Sequence, residues 1–165
     1  MIPIGDEGAP MRRGFPIVNI TIIVINILVF LLQMSSDAIT YGWSLIPKEI
    51  TTGVDLVGLQ RIPGTNQALE LYPAPLGMPY LTLFTSMFMH GGLLHIGSMM
   101  LFLFILGDNV EDNMGSLKYL IFYLLCGLGA DFAQIMLGGP DSVVPNLGAS
   151  GAIAGVLGAY LILFP

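Results

Sequence analysis

Charge is what this sequence lacks most. Only 10% of its 165 residues are charged, against 55% hydrophobic, and mean hydropathy is +0.82. Soluble domains carry about 25% charged residues, so a water-facing globule is excluded and the membrane class is indicated. Cysteine is nearly absent. Cys126 stands alone in an apolar run, which rules out an intrachain disulfide and points to a buried thiol. Basic residues number five against eleven acidic ones, for a net charge of −6. The acids fall mostly in connections between apolar segments, so they read as solvated links, and no nucleic-acid partner is expected. Ten methionines suit lipid-facing and packed helix surfaces, and nothing about them suggests a metal site. No internal repeat or low-complexity tract is present.

Long apolar runs are there instead. A bilayer core takes roughly 20 apolar residues of helix to cross. The spacing of charges predicts four spans, at about 15–34, 80–106, 119–137 and 148–164. Arg12 and Arg13 before the first span resemble a signal-peptide flank, but its apolar part is too long and no small-residue cleavage site follows Leu31-Leu32-Gln33-Met34. A retained helix is expected. The paired arginines argue for a cytoplasmic N-terminus, with Arg12, Arg13 and Lys118 inside against Lys48 and Arg61 outside. Residues 107–117 then form an inner connection and 138–147 an outer one. Residues 35–79 form a long outer loop with Trp43, several prolines and apolar stretches, expected to fold at the membrane interface with short helices.

Ionisable and polar residues inside spans are functional candidates. His90 and His95 both fall in the second span. On one continuous helix, five positions would set them about 140° apart, so they would not share a face or chelate one metal. Asp131 is the only carboxylate within the apolar segments; it is either carried protonated or turned to a wet interior. A Ser150–His95–Asp131 triad can be drawn from these residues, but nothing in the spacing supports it.

In the fourth span, Gly151, Gly155 and Ala159 recur at i, i+4 and i+8, a small-residue stripe that lets another helix approach closely. Ser150, Ala154 and Gly158 form the adjoining stripe. A plain packing face with an incidental serine is one reading. The other is catalytic. Ser150 starts its helix straight after a glycine-containing loop, where the free N–H groups of the first turn point at a potential oxyanion.

The stretch from His90-Gly91-Gly92-Leu93-Leu94-His95 through Asn109-Val110-Glu111 to Gly115, together with Gly148-Ala149-Ser150-Gly151 and Gly155, resembles the rhomboid intramembrane serine proteases. The likeness extends over all four spans and the long loop. It implies an all-α polytopic membrane bundle, these four helices belonging to a six-helix core, in a plasma (inner) membrane. It implies a serine endopeptidase that cleaves transmembrane segments of other proteins in the bilayer, without metal or cofactor. Ser150 matches the nucleophile, with Gly148 and Gly151 flanking it. His95 matches the oxyanion-stabilising histidine, and His90 and Gly155 match structural positions.

The general-base histidine of the family lies on a sixth helix beyond residue 165, so these 165 residues alone are expected to be inactive. The small-residue stripe is expected to lack its partner helix. Two departures stand out. Met99 occupies the place where the family usually has an asparagine donor, and a thioether cannot donate a hydrogen bond. Ala154 stands where some members carry an aromatic. A non-catalytic relative that binds transmembrane helices is the alternative reading.

Overall fold

The computed structural model describes residues 14–165; Arg12 and Arg13, on which the expected orientation rests, lie outside the described residues. Pro16, with its preset φ of −76°, opens α1 (Ile17–Gln33). The helix is inside-out by the standards of a soluble protein. Its buried face carries Asn19, Asn26 and Gln33 alongside Ile22 and Phe30, while Val24, Leu28 and Leu31 are exposed. A polar stripe inside and an apolar surface outside are what lipid demands, since no water is there to satisfy amides.

Each amide of the stripe donates a hydrogen bond, while Asn26 Oδ1 makes none of normal geometry among the described residues. Asn19 Nδ2 donates to the Leu103 carbonyl at 2.9 Å, and its Oδ1 accepts from the Tyr119 hydroxyl at 2.9 Å. Gln33 holds both faces of the His90 peptide, donating to its carbonyl at 3.1 Å and accepting from its N–H at 2.9 Å. Asn26 Nδ2 bonds back to the Ile22 carbonyl at 2.7 Å. At the start of α1, the buried Glu111 carboxylate accepts from the N–H groups of Val18 (3.1 Å) and Asn19 (2.7 Å), and from Ser116 Oγ at 2.6 Å. Those N–H groups have no partner within the helix, and an anion suits the positive end of its dipole.

Residues 35–79 fold into a small layer of their own. Ser36 caps α2 (Asp37–Gly42) through Ala38 N–H at 3.2 Å. Pro47 opens α3 (Pro47–Thr52), and Gly53, at φ 70°, closes it. An antiparallel hairpin follows, β1 (Gly58–Arg61) with β2 (Ala68–Leu71), pairing Gly58 with Leu71 and Arg61 with Ala68. The short helices were expected from sequence; the hairpin was not, and it amends the all-helical expectation. Ile46, Leu71 and Val143 form the layer's buried centre. Val143 belongs to the connection that leads to Ser150, so the layer packs on the approach to that residue.

The expected second span is corrected. It is not one helix over 80–106. A short helix, α4 (Thr82–Thr85), lies between two tight turns, Pro79–Leu81 and Ser86–Phe88. Met89 is extended and Gly92 takes φ 155°, a backbone state that favours glycine. The long helix starts only after that break, as α5 (Leu93–Phe102), and runs through a wide turn at Leu103–Gly107 into α6 (Asp108–Met114). The connection expected over 107–117 is therefore largely helical. The wide turn coincides with the Asn19 amide on the Leu103 carbonyl, the kind of side-chain insertion that loosens an i→i−4 ladder.

After Gly115, α7 (Ser116–Gly138) returns along the bundle, and α8 (Ser150–Leu163) packs against it. Leu93–Met114 and Ser116–Gly138 are long and apolar enough to cross a membrane; α1 and α8 are shorter apolar helices. A Cβ on Gly151 would collide with Ala130, and one on Gly155 would collide with Cys126 Sγ. The small-residue stripe thus already has its partner in α7, which corrects the expectation that it would lack one. The main core, with Leu103, Val110, Tyr119, Ala152, Ile153 and Val156, lies between these helices.

Candidate functional site

Ser150 is the first residue of α8 and is exposed. No side chain caps this helix, and the first N–H to enter a helical bond is that of Ile153, to the Ala149 carbonyl at 2.9 Å. The N–H groups of Ser150, Gly151 and Ala152 therefore remain available among the described residues, at the positive end of the helix dipole. An oxyanion formed beside Ser150 would meet such donors.

Gly148 explains how the serine and a histidine come to share one space. Its φ is 142°, and a Cβ there would sit 3.3 Å from His95 Cε1 and 3.4 Å from Ser150 Oγ. Serine and histidine border one gap, which a side chain at this position would crowd. The loop is fixed from both sides. Gly148 N–H donates to the Ser86 carbonyl at 3.0 Å, and Leu45 and Asn146 exchange backbone hydrogen bonds of 2.8 and 2.7 Å. The outer layer adds Lys48 N–H to the Ser142 carbonyl at 3.0 Å and Thr51 Oγ1 to the Pro140 carbonyl at 2.9 Å.

His95 is half-buried on the first turn of α5, with Nδ1 accepting from Gly91 N–H at 3.2 Å. That bond orients the ring and assigns the proton to Nε2 in the neutral form. The expected separation of the two histidines is overturned. The break at Met89–Gly92 takes His90 off the helix, and the rings meet edge-on with centroids 5.4 Å apart. His90 is buried, lies edge-on to Phe30 at 6.4 Å, and among the described residues neither ring nitrogen makes a hydrogen bond of normal geometry. Among the described residues no group of three His, Cys, Asp or Glu could hold a metal ion. Met99 packs against the main apolar core, and Ala154 is exposed.

Asp131 reaches the same site from α7. A cavity of about 190 Å³ is lined by Asp131 and Gln134 of α7, Asn146 and Gly148 of the connection, and Ser150 and Gly151 of α8. No hydrogen bond joins Asp131 to His95, so the triad drawn from sequence does not form here. Residues missed at the sequence level are Ser86, whose carbonyl holds Gly148, and Gln33, which clamps His90. The seven-residue spacing of Asn19, Asn26 and Gln33 was the available signal for the second.

In the outer layer, Glu49 is buried, with Oε1 accepting from Leu56 N–H at 2.9 Å. Burial pushes its carboxyl up to about 7; the Leu56 bond opposes this and nearby Asp55 adds to it.

The family model described as the rhomboid domain matches residues 78–165. The rhomboid protease GluP of Bacillus subtilis is 38% identical over 79 residues, 48% of this chain and 15% of that protein. RHOMBOID-like protein 5 of Arabidopsis thaliana is 33% identical over 79 residues, 48% of this chain and 25% of its own. Mitochondrial rhomboid protein 1 of Saccharomyces cerevisiae is 29% identical over 133 residues, covering 76% of this chain and 38% of the yeast protein. The chain thus spans well under half the length of each.

Proposed function

Since the chain belongs to the rhomboid family, which is membrane-embedded, we propose that it is the serine-bearing part of an intramembrane endopeptidase that cleaves transmembrane segments. The observation that carries this reading is the gap at Gly148, bordered by both Ser150 Oγ and His95 and overlooked by the uncommitted N–H groups of α8. In the proposed reaction Ser150 Oγ attacks the scissile carbonyl, a base takes its proton and passes it to the amide nitrogen, and the neutral amine leaves. Water then attacks the resulting ester and frees Ser150. His95 and the Ser150 N–H stabilise the oxyanion. The base is the histidine that the family resemblance places on a further helix, and the four helices α1, α5–α6, α7 and α8 cross the bilayer as part of a six-helix core. The N-terminus is cytoplasmic and the membrane the plasma (inner) membrane in this reading. Substrate helices must unwind to expose a carbonyl, so segments rich in Gly, Ala or Ser are the expected targets.

The test is cleavage of a transmembrane reporter by the complete protein in lipid vesicles. Ser150→Ala should abolish it, and His95→Ala should lower it by about 10²–10³ as loss of an oxyanion donor does. Persistent cleavage by Ser150→Ala would sink the proposal. One observation favours a second reading, a non-catalytic binder of transmembrane helices: Met99 lies in the apolar core where the family usually has a donor. Met99→Asn should raise turnover if the protease reading holds. Binding without any cleavage, in wild type and Met99→Asn alike, would favour the binder.

A further inference from the structure

One short helix of the outer layer clasps the connection that leads to Ser150. On either side of Glu49 in α3, Lys48 N–H donates to the Ser142 carbonyl at 3.0 Å and Thr51 Oγ1 to the Pro140 carbonyl at 2.9 Å. Just before α3, Leu45 and Asn146 exchange two backbone hydrogen bonds, and Ile46 shares a buried cluster with Val143. Residues 140–146 are therefore held wherever α3 is held. Gly148 and Ser150 follow them closely in the chain.

Glu49 lies between the two clasping residues and is only 1% exposed. Its side chain receives one hydrogen bond, from Leu56 N–H at 2.9 Å. Asp55, held by the Ala74 N–H on its Oδ1 at 2.9 Å, is the charged group that bears on it, and it repels. The other charged or titratable residues of the surrounding elements are Lys48 of α3, Arg61 and Glu70 of the hairpin, Tyr72 and Tyr80 after it, and Asp141 of the connection. Among the described residues none of them makes a hydrogen bond or ion pair with the Glu49 carboxyl. A buried carboxylate with one donor, no cation and a like charge nearby is costly, whereas the protonated acid is not. A glutamine could accept the Leu56 bond and would carry no charge. What the acid adds is a response to protons.

We infer that Glu49 is a proton-operated latch: protonated, it lets α3 seat on residues 140–146, and ionised, it draws α3 toward water and releases the connection that carries Ser150. Burial keeps the proton on the seated carboxyl up to about 7, against 4.5 for the group in water. The seated state is therefore favoured at acid pH, gives way as pH rises between those values, and loses nothing further once both states are ionised.

Amide exchange of residues 140–147, corrected for intrinsic rates, tests the latch on the complete protein in lipid vesicles between pH 5 and 8. It should rise about tenfold or more, in step with residues 45–56, and level off above about 7. In Glu49→Gln it should stay flat. Asp55→Asn can keep the Ala74 bond but removes the repelling charge, so the rise should level off at lower pH. A merely structural Asp55 would not move that point, and this variant covers the case that Glu49→Gln does not fold. A rise at 45–56 that leaves 140–147 unchanged, an equal rise in a folded Glu49→Gln, or a levelling point unmoved by Asp55→Asn overturns the inference. Only the second readout rests on the protease reading: KM for the transmembrane reporter, relative to Glu49→Gln, should fall over the same range. A KM that ignores this range in a cleaving protein also overturns the inference. The expected exchange profile without any cleavage supports the latch and sinks the protease reading alone.

Discussion

The two ends of the helix bundle treat their buried polar groups differently. Where α1 begins and α6 ends, Asn19, Tyr119, Glu111 and Ser116 use one another and the backbone as partners. At the other end, beneath the outer layer, Ser86 Oγ, both ring nitrogens of His90 and Asp131 Oδ2 are buried without a bond of normal geometry among the described residues, as are Asn26 Oδ1 and the Tyr123 hydroxyl on α1 and α7. The contrast separates framework from site. A closed network fixes helix positions, and its members have no capacity left for a ligand. Open groups cost stability and are kept where something else will complete them.

The largest effect expected from testing this contrast is at the closed end. Glu111→Ala removes an acceptor from two backbone N–H groups and one hydroxyl at once. Hydrogen bonds to a charged group contribute about 1.5–3 kcal/mol each, and polar bonds within membranes fall below that range. A loss of about 3 kcal/mol is expected, read as a shift in reversible unfolding in mixed detergent micelles. If Glu111→Ala unfolds like wild type, the closed network is not what holds α1. Asn19→Ala comes next. It leaves the Leu103 carbonyl and the Tyr119 hydroxyl without their partner, for about 1–2 kcal/mol. Tyr119→Phe in the same background should then add little, because the bond it made is already gone.

How much of this was legible in the sequence depends on whether a feature is local. The apolar segments were, because each helix writes its own hydrophobic run; α1 and α7 fall within a residue or a few of the expected spans. The hairpin signal was also on the page, in Pro63-Gly64 between β1 and β2, but the apolar character of the loop drew the reading toward helices. Hydropathy favoured one continuous second span, and the break before it was missed. Gly91-Gly92 marks that break, and it brings His90 and His95 into contact where a helix would have parted them. Asp131 was conspicuous as a lone carboxylate, yet nothing local could reveal that α7 carries it to Ser150. Convergence across two helices is a long-range contact, set by how Ala130 and Cys126 receive Gly151 and Gly155.

The outer layer offers a milder test through pH. Glu49 is buried, and its carboxyl is raised from 4.5 to about 7. A carboxyl whose folded pKa lies above its unfolded value gives stability that is fully present below about 4.5 and lost as pH rises through about 7. The layer should therefore loosen from acid toward neutral pH. Each unit is worth about 1.4 kcal/mol, and an opening loop lets water recover part of that, so about 1–2 kcal/mol is expected. Hydrogen exchange of residues 45–56, followed from pH 5 to 8 and corrected for intrinsic rates, would read it. Glu49→Gln should flatten the profile. An unchanged slope in that variant would place the pH response elsewhere.

The smallest stability effect should come from Ser86→Ala, and it bears most directly on the contrast. The hydroxyl removed is buried beside the Asp131 carboxyl and makes no hydrogen bond of normal geometry among the described residues, so its loss gives up little and relieves a desolvation cost. The Ser86 carbonyl keeps its hold on Gly148 N–H at 3.0 Å, because that bond belongs to the backbone. Unfolding should therefore move by less than about 0.5 kcal/mol in either direction, although Ser86 is as buried as Asn19. If Ser86→Ala instead costs as much as Asn19→Ala, the hydroxyl has a partner in the membrane, and the two ends of the bundle are alike. A near-silent Ser86→Ala beside a damaging Asn19→Ala would mean that burial alone does not make a polar residue structural. What decides is whether its bonds are made inside the fold or left for a ligand.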